Sequence, residues 1–195
     1  MTSKVDELNN LKKYFQEMNL PQNEIDERIE HAIKLYNLHL DTISYYKVMK
    51  AVDDIDEEYI YYYLIQGYED TFNTELVADQ LATIYDTLVS SEIETMLNGD
   101  DLAGKALFWA ENDTNVIDNY LLDLKMAAQG YTRKRWDTMR DNHVRPSHVK
   151  ADGQEVDIYE PFVVGDSLML YPKDILLGAS LKEIIGCRCV CHYLK

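Results

Sequence analysis

Apolar residues recur through the first part of the chain with the period of an α-helix. The first set, spaced three or four positions apart, comprises Val5, Leu8, Leu11, Phe15 and Met18. This spacing places the side chains on one side of a helix, and Pro21 cannot continue a helix because it lacks the backbone N–H. The pattern therefore predicts a first helix over residues 4–20.

The same period predicts four more helices. Asn23 is expected to cap a second helix whose apolar stripe extends to Ile43. A third begins at the acidic segment 53–58, because negative charge is favourable at a helix N-terminus. The fourth is predicted from about Leu76 to Met96 and the fifth from Ala103 to about Gln129.

Two features of these helices suggest ligand or metal binding, but we assign both to packing. The tyrosines between Tyr59 and Tyr68 are expected to bury area between helices, which is the commonest use of aromatic side chains. His31 and His39 lie eight positions apart, whereas two metal ligands on one helix usually lie three or four apart. We therefore expect both histidines to flank the apolar stripe of the second helix.

The pattern changes after Gly130, where prolines and glycines become frequent. The segment EPFVVGDSLMLYP predicts two short strands around a turn at Gly165 and Asp166, and IIGCRCVCHYL predicts a last strand. The predicted fold class is α+β, with an acidic all-helical region at 1–100 packed on or followed by a small module at 101–195. Short antiparallel strands form the sheet of this module, whose motif core spans 131–193.

Charge, like the hydrophobic pattern, differs between the part of the chain before Gly130 and the part that follows. The 195 residues have a net charge of -16, but residues 1–129 hold 9 Lys+Arg against 26 Asp+Glu, whereas residues 130–195 hold 10 against 9. Binding to nucleic acid depends on cations that neutralise phosphates, so the acidic region should repel DNA and RNA. A weak DNA contact is predicted only through Arg133, Lys134 and Arg135, with solvated surface as the alternative.

The composition indicates a protein kept in a cytoplasm. No run of about 18 apolar residues is present, and the start lacks the basic and then apolar order of a signal peptide. The three cysteines, Cys187, Cys189 and Cys191, lie within five residues and cannot form a disulfide framework. We expect reduced thiols and no membrane contact.

The last third contains an ordered set of distinctive residues. They are Trp136, Asp141, Arg145, His148, Gly153, Phe162, Pro172, Cys187, Arg188 and Cys189. Their order and spacing resemble those of a known family, the phage Mu F-like head morphogenesis domain of minor capsid proteins. The matches cover about 60 residues, whereas the helix before them matches weakly and the acidic helices match nothing in the family. Gly186 replaces the asparagine that the family has before its first cysteine, and Cys191-His192 is an addition.

The resemblance implies a minor structural protein of a tailed bacteriophage or prophage. Such a protein acts in procapsid assembly near the portal, by docking to portal, scaffold or major capsid protein. It would lie in the host cytoplasm during assembly and later inside the virion head. No enzymatic activity, small-molecule substrate or certain cofactor is expected from it.

The closing cysteines suggest a structural zinc ion. In one extended strand Cys187, Cys189 and Cys191 would share a face, and two thiolates with His148 could supply three ligands. Cys191, His143 or His192 is the candidate fourth ligand. The alternative is that the cysteines are buried as small apolar side chains, because the usual Cys-x2-Cys spacing of zinc knuckles is absent.

Two other functions stay open. His148 beside Arg145 could act as a general base in a nuclease or toxin-like enzyme, although Asp141 and Arg145, four positions apart, also suit a helix-surface ion pair. The chain could also be a phage-derived cytoplasmic binding or regulatory protein. Glycine-rich phosphate loops, Walker motifs and nucleophile elbows are missing from the sequence.

Overall fold

The computed structural model describes residues 3–73, 79–99 and 101–195. It confirms the α+β class, with most helices in the N-terminal part and a small antiparallel sheet near the C-terminus. Its helices are α1 (Lys4–Gln16), α2 (Gln22–Ala51), α3 (Glu57–Phe72), α4 (Asp79–Leu97), α5 (Lys105–Ala128), α6 (Pro146–Ala151) and α7 (Leu181–Ile184). Its strands are β1 (Arg133–Asp137), β2 (Glu155–Asp157), β3 (Phe162–Val164), β4 (Ser167–Met169) and β5 (Val190–Leu194).

The five long helices agree with the predicted period, but some of their ends differ from the prediction. α1 ends at Gln16 rather than at residue 20, and the prediction that Asn23 caps α2 is wrong because that helix already begins at Gln22. The start predicted at Leu76 lies outside the described residues. At α3 the Asp56 carboxylate accepts the backbone N–H of Tyr59 at 2.9 Å, which caps the acidic N-terminus.

The chain divides into two compact units. Unit 1 consists of Met1–Tyr14 and Asp26–Thr114, and unit 2 of Phe15–Ile25 and Asn115–Lys195. These units group residues that are close in space. The domains predicted at 1–100 and 101–195 stay a prediction.

Unit 1 is helical and its interior follows the apolar stripes. Buried side chains include Leu11, Leu35, Tyr36, Ile60, Leu64, Ile84 and Val89. Within the tyrosine-rich stretch Tyr68 is fully buried, whereas Tyr59 and Tyr62 are exposed, so the stretch supplies both core and surface. The Tyr46 hydroxyl donates to the Met96 carbonyl at 2.5 Å and ties α2 to α4.

Unit 2 contains both sheets. β1 lies between β2 and β5 and pairs antiparallel with each, while β3 and β4 form the predicted hairpin. Lys134 and Trp136 lie two positions apart on β1, so both side chains point to the same face, and both are fully buried. Phe162 of β3 packs its ring on that of Trp136, with centroids 5.4 Å apart.

The last strand is shorter than predicted. It begins at Val190, because residues 181–184 form α7 and the backbone then turns at Gly186, where φ is +66°. Cys187 and Cys189 therefore precede β5, and only Cys191 lies on it, opposite Trp136 in the sheet register. The prediction that the three cysteines share one strand face is wrong.

Candidate metal centre

The structure brings together the three side chains predicted as first metal ligands. His148 comes from α6, and Cys187 and Cys189 come from the segment between α7 and β5; all three are buried. His148 Nδ1 lies 3.3 Å from Cys189 Sγ and 3.6 Å from Cys187 Sγ. Residues nearly forty positions apart in the chain thus form one compact set of nitrogen and sulfur donors.

The imidazole of His148 is held by its other nitrogen. Nε2 lies 3.1 Å from Glu183 Oε2, and the same oxygen accepts the Ser147 hydroxyl at 2.7 Å. A neutral imidazole that donates from Nε2 to the carboxylate keeps its lone pair on Nδ1, which faces the sulfur atoms. A carboxylate behind the histidine is the arrangement that orients histidine ligands in metal sites.

The two thiols differ in their ease of ionisation. A hydrogen bond from the Cys189 thiol holds the pKa of Cys187 well below its usual range, and His148 acts in the same direction. The same bond, together with burial, raises the pKa of Cys189. The Cys189 backbone N–H also donates to Cys187 Sγ, at 3.4 Å. Cys187 is therefore the sulfur that ionises first.

These distances fit a tetrahedral zinc ion. Zinc bonds of about 2.3 Å to sulfur and about 2.0–2.1 Å to nitrogen place a nitrogen and a sulfur ligand roughly 3.5 Å apart. The two nitrogen-to-sulfur distances around His148, 3.3 and 3.6 Å, lie at this value. A cavity of about 20 Å³, lined in part by His143, Arg145 and Gly186, adjoins the three residues. It has room for one water or ion.

The predicted fourth ligands are not part of this group. Among the described residues, no further His, Cys, Asp or Glu offers a ligand atom within 4.8 Å of all three donors. Cys191 is buried on β5, where burial raises the pKa of its thiol, and His192 is exposed on the same strand. Of the three predicted fourth ligands, His143 is the one that lines the cavity beside the donor set.

Arg145 and Asp141 do not form the ion pair that their spacing suggested. Residues 141–145 are not helical, which removes the geometry that a four-residue spacing requires. Asp141 instead accepts from Arg188 at 2.6 Å, and this contact lowers the pKa of Asp141. Arg145 donates to the carbonyl of Glu183 at 3.3 Å and to that of Ile185. Both arginines therefore tie the segment before α6 to the chain around the cysteines.

The predicted basic patch is largely neutralised by carboxylates. Lys134 is fully buried and its Nζ lies 3.2 Å from Asp123, so the prediction that it belongs to a surface patch is wrong. Arg133 pairs with Glu155 at 2.8 Å and Arg135 with Asp137 at 2.9 Å. A DNA contact through Arg133 and Arg135 stays a prediction.

Glu183 is the site residue whose role the sequence did not indicate. It lies 35 positions from His148, and no periodic pattern links the two.

Comparisons of the chain with protein-family models, curated proteins and solved structures give no match. The resemblance of residues 131–193 to the phage Mu F-like domain therefore stays a prediction. Within the described residues, no helix combines the length and the apolar character that crossing a membrane requires. The fold and the donor set together define an α+β protein with a candidate imidazole and thiolate metal centre.

Proposed function

We propose that the chain is a minor structural protein in head morphogenesis of a tailed bacteriophage or prophage, acting by docking to portal, scaffold or capsid chains. The observation that supports this function is the convergence of the resemblance residues inside unit 2. Trp136 packs on both His148 and Phe162, with ring centroids 5.6 and 5.4 Å apart, and His148 contacts the cysteine pair.

The remaining motif residues bind this core together. Asp141 pairs with Arg188, and Arg145 bonds to two backbone carbonyls near Gly186. Side chains used in this way are occupied by the protein itself. The motif residues therefore hold a folded module together. This use supports a structural role better than it supports a reaction centre exposed to substrate.

A structural zinc ion belongs to this proposal. Unit 2 has small sheets, with strands of three to five residues, and a metal that joins α6 to the segment before β5 would add its binding free energy to folding. Cys187, Cys189 and His148 would hold the ion. Zinc would supply no chemistry beyond this cross-link.

A nuclease or toxin-like enzyme centred on His148 and Arg145 is less well supported. His148 is 2% exposed and has both ring nitrogens engaged, while Arg145 donates to backbone carbonyls. A general base must reach the proton that it removes. The adjoining cavity of about 20 Å³ is too small for a nucleotide.

The function is tested by following the chain through particle assembly in cells that produce the phage or prophage. We expect a tagged chain to sediment with proheads in few copies, and deletion of its gene to reduce the yield of filled heads. A matched pair of surface variants, Tyr62→Ser and Val48→Ser, changes one exposed residue of α3 and one of α2. If one variant no longer sediments with proheads and the other still does, the substituted residue of the first lies on the docking surface.

Normal head yield after deletion, with the tagged chain confined to the unassembled fraction, would contradict the proposal. That outcome would favour a phage-derived cytoplasmic regulatory protein. Loss of a nuclease activity in His148→Gln, with the fold retained by circular dichroism, would instead favour the enzyme.

A further inference from the structure

A second buried polar cluster lies in unit 1 and contains no residue of the resemblance. Four helices contribute one side chain each: His39 from α2, Tyr68 from α3, Glu92 from α4 and Asp113 from α5. None of the four is more than 2% exposed. Charged groups are rarely buried this deeply without a partner that compensates them, so the cluster requires an explanation.

The Tyr68 hydroxyl cannot satisfy both acids. It lies 2.6 Å from Glu92 Oε1 and 2.7 Å from Asp113 Oδ2, but it carries a single proton. Two carboxylates are thus held around one hydroxyl in a site from which water is excluded. Their mutual repulsion must be relieved by a proton or by another cation.

His39 lies between the two carboxylates without a hydrogen bond. Its Nδ1 is 3.5 Å from Glu92 Oε2 and its Nε2 is 3.8 Å from Asp113 Oδ2, and neither contact has hydrogen-bond geometry. Within the part of the chain that the structure describes, both ring nitrogens and Glu92 Oε2 have no hydrogen-bond partner. Burial of such polar atoms is unfavourable when nothing else compensates them.

We propose that His39, Glu92 and Asp113 bind a divalent transition metal ion, with Tyr68 beside it. One ligand atom from each of the three lies within 4.8 Å of the other two. Bonds of about 2.0–2.2 Å bring ligands within roughly 3.0–4.3 Å of each other, so small side-chain shifts suffice. With both carboxylates ionised around the ion, their two negative charges would match its charge.

The surroundings suit a metal ligand at His39. Trp109 and Tyr68 pack on the ring with centroids 5.5 and 6.0 Å away. The His39 ring nitrogen that does not bind the ion can donate to a carboxylate oxygen of Glu92 or Asp113, and this hydrogen bond would fix the tautomer.

The site was not predictable from the spacing within α2. His31 and His39 were expected to flank the apolar stripe, and His31 does contact Phe72 at 4.7 Å. His39 is fully buried, and its partners come from three other helices. An imidazole with two carboxylates favours manganese, iron or zinc over softer ions, whereas the cysteine cluster of unit 2 favours zinc.

The test is Mn²⁺ binding to the full chain after chelator treatment, measured by equilibrium dialysis and electron paramagnetic resonance. We expect one tightly bound Mn²⁺ per chain and imidazole nitrogen coupling in the pulsed spectrum. Glu92→Gln keeps the side-chain shape and removes one charge, and we expect it to weaken binding by at least about 100-fold. His31→Gln, on the same helix, is the matched control and should bind like the native chain.

The two candidate metal sites are separated by a further variant. Cys187→Ser combined with Cys189→Ser should retain the Mn²⁺ site. Equal Mn²⁺ binding by the native chain and by folded Glu92→Gln would overturn the proposal, as would a native chain without imidazole coupling. A nuclear magnetic resonance titration that finds His39 as an imidazolium at neutral pH would overturn it too, because the ring would then compensate the acids itself.

Discussion

His148 shows how a single side chain acquires its role from contacts at both ring nitrogens. Glu183 holds Nε2 at 3.1 Å, so Nδ1 is directed at Cys189 and Cys187. The ring is therefore oriented before any ion binds, which reduces the cost of forming the site.

The first prediction concerns the sulfur ligands. In a chain that also carries Glu92→Gln, so that the His39 cluster does not hold zinc, Cys187→Ser should remove the bound zinc, because serine is a poor zinc ligand, while Cys191→Ser should keep it. Zinc per chain is measured by elemental analysis after purification without chelator. Less than about 0.2 zinc in the native chain would contradict the structural-metal proposal, because structural zinc sites bind too tightly to be empty.

The second prediction concerns Gly165, which lies in the β3–β4 turn with φ of +62°. A Cβ there would approach Glu183 Oε1 to 2.9 Å and Ser147 Cβ to 3.3 Å. Gly165→Ala should therefore destabilise the protein and displace the carboxylate that orients His148. Gly153, with φ of +79° and no atom within 4 Å of a Cβ, is the matched control.

Urea unfolding of both glycine variants measures the difference. Gly153→Ala should lower the free energy of unfolding by about 1 kcal/mol from backbone strain alone. Gly165→Ala should cost at least about 1 kcal/mol more, because a clash is added to the strain. Equal losses would mean that the turn moves freely away from Glu183.

At the scale of elements, β1 shows that the alternating side-chain directions of a strand determine which residues of a charged segment are buried. The sequence RKRWD reads as basic surface, but in a strand every second side chain faces the same way. Lys134 and Trp136 therefore enter the interior while Arg133 and Arg135 point outward. Lys134 reaches Asp123, and its Nζ lies 5.8 Å from the Phe162 ring centroid.

The third prediction compares the two kinds of ion pair on this strand. Lys134→Met should lower the free energy of unfolding by more than about 1 kcal/mol, because it leaves the Asp123 carboxylate, 14% exposed, without its cation. Arg133→Ala breaks a half-exposed pair with Glu155 and should cost less than about 1 kcal/mol. Denaturant unfolding of the two variants checks the order. A larger loss of stability in Arg133→Ala than in Lys134→Met would contradict the prediction that the Lys134–Asp123 pair contributes more to stability.

At the scale of the whole molecule, the net charge of -16 governs which partners are possible. The acidic helices repel phosphates, and the cations of the RKR segment are already paired with carboxylates. A contact with DNA would have to break these pairs. Partners of the acidic part should therefore be protein surfaces with basic or neutral character.

The fourth prediction follows from this charge distribution. Duplex DNA should bind with a Kd weaker than about 10 µM at roughly 0.15 M salt, a value typical of nonspecific contacts or of none. Fluorescence anisotropy with a labelled duplex measures it. Tighter binding that falls steeply with salt, and is lost in the double variant Arg133→Ala/Arg135→Ala, would reassign this surface to nucleic acid.

The sequence by itself determined the α+β class, the five long helices and the β3–β4 hairpin. These features depend on hydrophobic period and on turn residues, which are local properties of the chain. It also selected His148, Cys187 and Cys189 as a donor set. The predicted start of β5 was wrong, because the chain forms a short helix and turns at Gly186 before it becomes extended.

Only the tertiary structure decided which side chains meet. Glu183 reaches His148 across 35 positions, and the cluster of His39, Tyr68, Glu92 and Asp113 takes one residue from each of four helices. For the same reason Lys134 is buried and paired with Asp123 instead of being solvated. Contacts of this kind depend on how elements pack, and packing joins residues whose separation along the chain carries no periodic signal.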